Sequence, residues 1–395
     1  MSTALQHDMP ELQRIQYVAL IVGGVGAAFS AVGILLDVTQ LFRSYLVAFN
    51  LFLALALGSL AIRLLHTLTG GYWGVVIQRW LEAATRTLPV LLVFFIPIAL
   101  GIYHLYSWTD VANPELESHV RELLETKEFY LNVPFFLARA AIYFAVWLLL
   151  AFLLNKWSAN QDREPSPERA QRLEQLGGPG LLLYGLTMTF AAVDWTMSLE
   201  PEWYSTIFGV LVATGQMLPA FAFALAGMTW LLTRPSSPER VEPRVWNDLG
   251  NLLLTFVMVW TYMSFAQLLL IWSGNLPEEI VWYDARATGG WQDLAVVLAV
   301  FYFGLPFVIL LSRNFKRDPR RLLRLASSLL VVTVLYQFWL VAPAFSPKQF
   351  SLHWLDVTTL AALGGLWVAV FIRQLLARPL LPTNDPLLRE AVHHV

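Results

Sequence analysis

Ten apolar runs follow one another along the chain, each long enough at roughly 20 residues to cross about 30 Å of hydrocarbon. They cover approximately residues 15–37, 42–65, 80–103, 133–156, 179–199, 205–232, 248–273, 290–312, 322–342 and 355–377. A composition of 57% hydrophobic and only 14% charged residues lies outside the range of soluble domains and agrees with a chain that lives in a bilayer. Spanning segments must satisfy their backbone polar groups internally, and a barrel would show shorter, alternating segments. The expected fold is therefore an all-α polytopic membrane protein of about ten transmembrane helices, one integral membrane domain over residues 1–395.

Charge sets the expected orientation, because cytoplasmic loops carry the excess of Lys and Arg. With the N-terminus inside, most of the 26 basic residues fall on one side, including the run Arg313, Lys316, Arg317, Arg320, Arg321 and Arg324. Arg43, Arg121, Lys127, Arg286 and Lys348 fall outside, and Arg139 falls within a span. Both termini are thus expected in the cytoplasm, with Glu200 and Glu202 at the outer face. The polar stretch Met1 to Glu11, followed by a long apolar run, reads as a lead into a first span and not as a signal peptide. The absence of cysteine excludes disulfides, thiolate metal sites and Cys-x-x-Cys-His haem attachment within the chain. Nothing in the sequence supports nucleic-acid binding.

Between the runs, residues 158–178 and 233–244 mix charges with prolines and read as flexible inner connectors. The longest outer segment, 104–132, carries Glu115, Glu117, Glu122, Glu125 and Glu128 at helical spacing and predicts an amphipathic outer helix. Residues 72–87 read as an interfacial turn feeding the third span. Trp108, Trp195, Trp203, Tyr204, Trp272, Trp282, Tyr283 and Trp291 cluster at the outer water boundary, where aromatic belts form. Pro89, Pro97, Pro219 and Pro306 lie within spans and are expected to kink them.

An ionisable group in hydrocarbon is costly and marks a site. Asp194 lies roughly 8 Å below the outer end of the fifth run and Arg139 roughly 9 Å below the outer end of the fourth, by a rise of about 1.5 Å per residue. Matched depth suggests an intramembrane ion pair; the alternative has Arg139 snorkelling to lipid phosphate and Asp194 hydrogen-bonding a neighbouring helix. The histidines do not supply two axial haem ligands at one depth, since His66 and His104 lie near opposite membrane faces. His104 is a candidate for proton exchange at the outer face. On the inner side Arg79 and Glu82 have the spacing of a salt bridge, and Asn247 or Asp248 of a cap for the seventh span. Thr255, Thr261, Ser264 and Gln267 in that span line a path or join helices.

Three stretches carry a family resemblance: Leu105-Tyr106-Ser107-Trp108; the residues from Asp194 through Trp195, Glu200, Glu202 and Trp203 to Gly209; and those from Trp272 through Pro277, Glu278 and Glu279 to Tyr283. Lys316-Arg317-Asp318-Pro319 adds a fourth. In these the chain resembles the F subunit of alternative complex III, within the NrfD and polysulfide-reductase membrane-subunit group, over most of its length. The resemblance implies two four-helix bundles, spans two to five and six to nine, flanked by the first and last helices. It also implies a place in the inner membrane of a bacterial cell, within a quinol:cytochrome c oxidoreductase of the respiratory chain. The implied partners are a related C-type membrane subunit, an iron-sulfur subunit, multihaem c-type cytochromes, a cytochrome oxidase and membrane lipids.

On this reading the chain holds no redox cofactor of its own, is not catalytic alone, and has quinone nearby. Asp194, Arg139, His104, Glu82, Arg79 and Asp248 are the candidates for a proton path or buried ion pairs. Glu200, Glu202, Glu278 and Glu279, with Asp194, are those for docking or proton exit at the outer face. No catalytic or metal-ligating residue is expected. Two other readings are compatible with the residues: a secondary transporter, which needs a midplane site at broken helices, and a structural or assembly subunit with no ion path.

Overall fold

The computed structural model describes residues 10–110, 118–234, 239–382, 384 and 388–394. Among these residues ten helices are long and apolar enough to cross a membrane. Spans one to five are Pro10–Leu36, Val38–Thr69, Tyr72–Leu100, Val133–Arg163 and Pro167–Leu199. Spans six to ten are Phe208–Leu232, Pro243–Gly274, Trp291–Leu311, Pro319–Ala344 and Trp354–Leu376. Each apolar run becomes one span, and the chain is an all-α multi-pass membrane protein. A short antiparallel ribbon pairs Glu239–Val241 with Val392–His394. It holds the C-terminal tail beside the connection between spans six and seven, and Arg234 of that connection pairs with Glu11 at 2.5 Å. Both chain ends therefore share one face, called inner here after the charge bias.

Spans two to five pack on one another, spans six to nine do likewise, and the two bundles meet along spans two and six. Spans one and ten pair with each other beside span two. Their contact is close because it is built on glycine. A Cβ on Gly365 would come within 2.3 Å of the Gly23 nitrogen, and one on Gly26 within 2.5 Å of the Ala362 nitrogen. Such small-residue seams supply the packing that lipid-embedded helices need, since hydrocarbon gives them no hydrophobic drive to associate. Gly365→Leu is expected to pry span one away. Ser30 and Thr358, whose hydroxyls lie 3.2 Å apart across the seam, provide the readout in a chain free of cysteine. A Ser30→Cys/Thr358→Cys pair should cross-link in the parent background and largely fail to do so when combined with Gly365→Leu.

Helix ends depart from the sequence reading where proline starts a helix instead of stopping one. Residues 158–178 are mostly helical: span four runs to Arg163, the Ser166 hydroxyl accepts from the Arg169 amide at 3.3 Å, and span five begins at Pro167. Proline fits the first helical turn because its missing N–H has no partner there in any case. Pro243 likewise opens span seven, so Asp248 lies exposed inside the helix and neither it nor Asn247 caps it. In span three the helix ends at Thr85 and restarts at Leu88. Pro89 cannot donate to the Thr85 carbonyl, and this breaks the ladder. Pro306 acts in the same way on span eight, where residues Ala299–Gly304 widen into a π-helix before it.

Two further expectations are corrected by burial. The helix Tyr72–Thr85 is no interfacial turn; from Gly74 to Thr85 every residue is buried between spans two, six and ten. Among the outer aromatics, Trp272 and Tyr204 are exposed, whereas Trp108, Trp195, Trp203, Trp282 and Trp291 are buried within protein. Outer segments fold back over the span ends and turn would-be headgroup anchors into core. The outer helix is observed at Ser118–Lys127, with Val120 and Leu124 buried; Glu115 and Glu117 lie outside the described residues.

Candidate functional site

Arg139 and Asp194 meet as a bidentate pair in the outer half of the first bundle. Arg139 Nε and Nη2 donate to the two Asp194 carboxylate oxygens at 2.8 and 2.9 Å, and the Tyr143 hydroxyl donates to Oδ2 at 2.7 Å. Tyr143 stands one helical turn below Arg139, so span four presents both groups to the same acid. The guanidinium is held within the protein instead of reaching lipid phosphate: its Nη1 donates to the Tyr130 carbonyl of the outer segment at 2.9 Å, and the Tyr130 ring covers it at 3.8 Å. Asp194 is fully buried. Next to it Trp195 packs against Phe95, Trp147, Phe144, Tyr143 and Phe49, with ring centroids 4.9–6.1 Å apart. The Tyr106 hydroxyl donates to its carbonyl at 3.2 Å.

Six residues on, Glu200 fastens the same segment to the second bundle. Arg286 donates to both its oxygens at 3.1 and 2.9 Å, and to the Trp282 and Leu340 carbonyls at 2.8 and 3.1 Å. The guanidinium lies 3.7 Å from the Trp282 ring centre. Burial pulls Arg286 below the usual arginine value and Glu200 opposes that pull. Trp203 stacks on Trp282 at 5.1 Å and donates to the Glu279 carbonyl at 3.0 Å. Lys127, at the end of the outer helix, donates to the Pro201 carbonyl at 2.7 Å. The stretch from Asp194 to Trp203 thus bridges both bundles and carries part of the outer cap. Glu200, expected to face partners, is turned inward as a brace. Glu278 is exposed, and Glu202 and Glu279 are partly so.

A second cluster closes the inner end. Glu82, fully buried, accepts from Arg63 at 3.2 Å, Gln78 at 2.9 Å, Ser158 at 2.7 Å and Arg79 at 2.6 Å, and Arg378 of the tail lies 3.6 Å away. Arg79 also pairs with Asp162. Arginine only donates, so in the 2.8 Å contact between Arg63 and His66 the imidazole Nδ1 accepts. Nε2 then carries the proton and donates to the Gly71 carbonyl at 3.0 Å. The spacing of Arg79 and Glu82 showed one pair; the fold adds Arg63, Asp162, Ser158 and Arg378 from three other segments.

The remaining candidates stay apart from these clusters. His104 is exposed, 3.1 Å from the Thr39 hydroxyl and stacked on Phe42. Asp248 is exposed, 3.5 Å from Asn247. Thr255, Thr261 and Ser264 each donate to a carbonyl one turn back in their own helix. Along span four, Arg139, Tyr143 and Trp147 lead inward from the outer pair, and Asn155, Ser158 and Asp162 lead inward to the Glu82 cluster. Between them the buried face is Leu150, Ala151 and Leu154. Two polar ends separated by an apolar middle give no continuous proton file along this helix. Among the described residues no group of three or more His, Asp or Glu side chains is placed to hold a metal ion. No protein-family model matches the chain, and no curated protein is significantly similar to it.

Proposed function

We propose that the chain is a membrane subunit of a quinol-oxidising respiratory complex of the alternative complex III type, in the bacterial inner membrane. In this role it holds no redox group of its own and serves as the companion and outer docking platform of electron-carrying subunits: an iron-sulfur protein, multihaem c-type cytochromes and a related membrane subunit. The observation that carries the reading is the stretch from Asp194 to Trp203. The residues that resemble the family are those that tie the two bundles together at the outer face, while Glu202 and Glu278 remain accessible to a partner. Protonatable groups at the two polar ends would serve proton exchange at their own faces.

A secondary transporter is the second reading, favoured by the breaks in spans three and eight. It asks for a charged site near the midplane. Of the buried charged groups, Arg63, Arg139 and Asp194 lie toward the ends of their spans and Arg286 and Lys316 lie between spans, while Arg79 and Glu82, farther into span three, meet Ser158 and Asp162 at the inner end of span four. Capture of the tagged chain from its native membrane in mild detergent, followed by haem staining, separates the readings. Co-purifying haem-stained bands and an iron-sulfur protein are expected. A chain that isolates alone and moves a solute in vesicles would overturn the respiratory assignment.

A further inference from the structure

The second bundle encloses an aromatic cavity of about 820 Å³, lined among others by Trp260, Phe303, Tyr336 and Trp339. At its inner end the turn between spans eight and nine is strongly basic. There the chain carries Arg313, Lys316, Arg317, Arg320, Arg321 and Arg324 against a single acid, Asp318. The charge bias between faces explains why such a turn lies inside, but not why its charge goes unbalanced. Two other inner connections are balanced: residues 156–174 hold four basic and four acidic side chains, and residues 234–248 hold three of each.

Lys316 is buried against Gly250 and donates to Asn251 Oδ1 at 2.6 Å, which ties the turn to span seven. Asp318 is already engaged. One of its oxygens accepts from the Arg320 and Arg321 amides at 2.9 and 3.2 Å, and the other pairs with Arg321 at 3.0 Å. Arg313, Arg317, Arg320 and Arg324 are exposed, and among the described residues none of the four has a carboxylate partner. Arg313 with Arg317, and Arg320 with Arg324, stand one helical turn apart, a spacing at which like charges destabilise a helix. Cations fixed in this way call for an anion. On span nine the exposed face continues from Arg320 and Arg324 through Ser327 to Val331, each about one turn deeper in the membrane. On span eight, exposed Val308 and Leu311 stand in the same order below Arg313. These faces are cationic at headgroup level and apolar below it, as a phospholipid lying along them requires. A soluble anion or an acidic protein would match only the arginines. Guanidinium is also the side chain best shaped to hold phosphate oxygens.

We propose that this hairpin holds an anionic phospholipid of the inner leaflet, with two phosphates in the head preferred to one because four guanidiniums are free. The site does not depend on the respiratory assignment. Native mass spectrometry of the full-length chain tests it, with the protein delipidated in a nonionic detergent and titrated with cardiolipin, phosphatidylglycerol or phosphatidylcholine. The first cardiolipin is expected to bind about tenfold or more tightly than the first phosphatidylcholine, with phosphatidylglycerol between them. Arg320→Gln/Arg324→Gln should lose about tenfold or more in cardiolipin affinity. With a like-charge pair removed, it should melt no lower than the parent when lipid is absent. Arg313→Gln/Arg317→Gln is expected to weaken binding likewise and decides the matter if the first variant does not fold. Arg163→Gln/Arg172→Gln removes two exposed charges from a balanced connection and should bind as the parent does. Equal affinity for the three lipids, or equal weakening in the variants of both connections, would overturn the proposal in favour of diffuse attraction. Pyrophosphate that binds as tightly as cardiolipin would overturn it in favour of a soluble anion.

Discussion

Arg139→Ala is expected to destabilise the protein by about 3–5 kcal/mol, the loss seen when one partner of a buried ion pair is removed. The substitution leaves the Asp194 carboxylate fully buried with only neutral tyrosine hydroxyls, Tyr143 at 2.7 Å and Tyr130, in place of the guanidinium. Asp194→Asn should lose less, because an amide keeps an oxygen for Tyr143 while Arg139 stays unbalanced. A double replacement by apolar residues, Arg139→Leu with Asp194→Leu, is expected to recover much of the loss, since neither site then strands a charge. Thermal unfolding in a mild detergent measures all three. Single variants that melt within about 1 kcal/mol of the parent would show that water or lipid headgroups reach the pair. Turnover of the intact complex adds a second reading: an Asp194→Asn protein that folds and sustains full turnover has no proton role at that carboxylate.

Glu82→Gln is the second large effect, again at the upper end of about 3–5 kcal/mol. One carboxylate balances Arg63 and Arg79 directly and Arg378 at longer range. Without it the guanidiniums repel one another in a buried site where Asp162 pairs directly with Arg79. The inner ends of spans two, three and four, together with the tail, should loosen as a unit, because each contributes a ligand to that acid. Arg378→Ala makes the contrast: its guanidinium is partly exposed and 3.6 Å from Glu82, so a loss of about 1 kcal/mol or less is expected. Proteolysis of the C-terminal tail, compared among the parent and the two variants, reads the loosening directly. Equal protection in all three would exclude the cluster as the anchor of the tail.

Lengths and ends of elements were partly legible in the residues. Apolar run length located all ten spans, because the bilayer imposes one local rule on every segment. Span ends were misread at Pro167 and Pro243, where a proline that looks like a loop marker is the first turn of a helix. The aromatic clusters were misread for a different reason. Whether Trp195 or Trp282 faces headgroups or protein depends on what the outer segments cover, and no local pattern states that.

Of the site, the sequence showed that Asp194 is an acid in hydrocarbon and that Arg139 stands at a similar depth. It could not aim them. The contact joins positions 55 residues apart, and the brace from Glu200 to Arg286 joins positions 86 apart. Arg286 carried one signal, a lone arginine in an aromatic outer segment, but nothing local pointed it at Glu200. Solvent preference is a property of each segment, so the sequence by itself determined the membrane fold class, the number of spans and the charge bias between faces. Partner choice is a property of packing. Only the tertiary structure decided that Asp194 pairs with Arg139, that Glu200 turns inward, that Glu82 gathers arginines from three segments, and that the second bundle keeps an aromatic cavity.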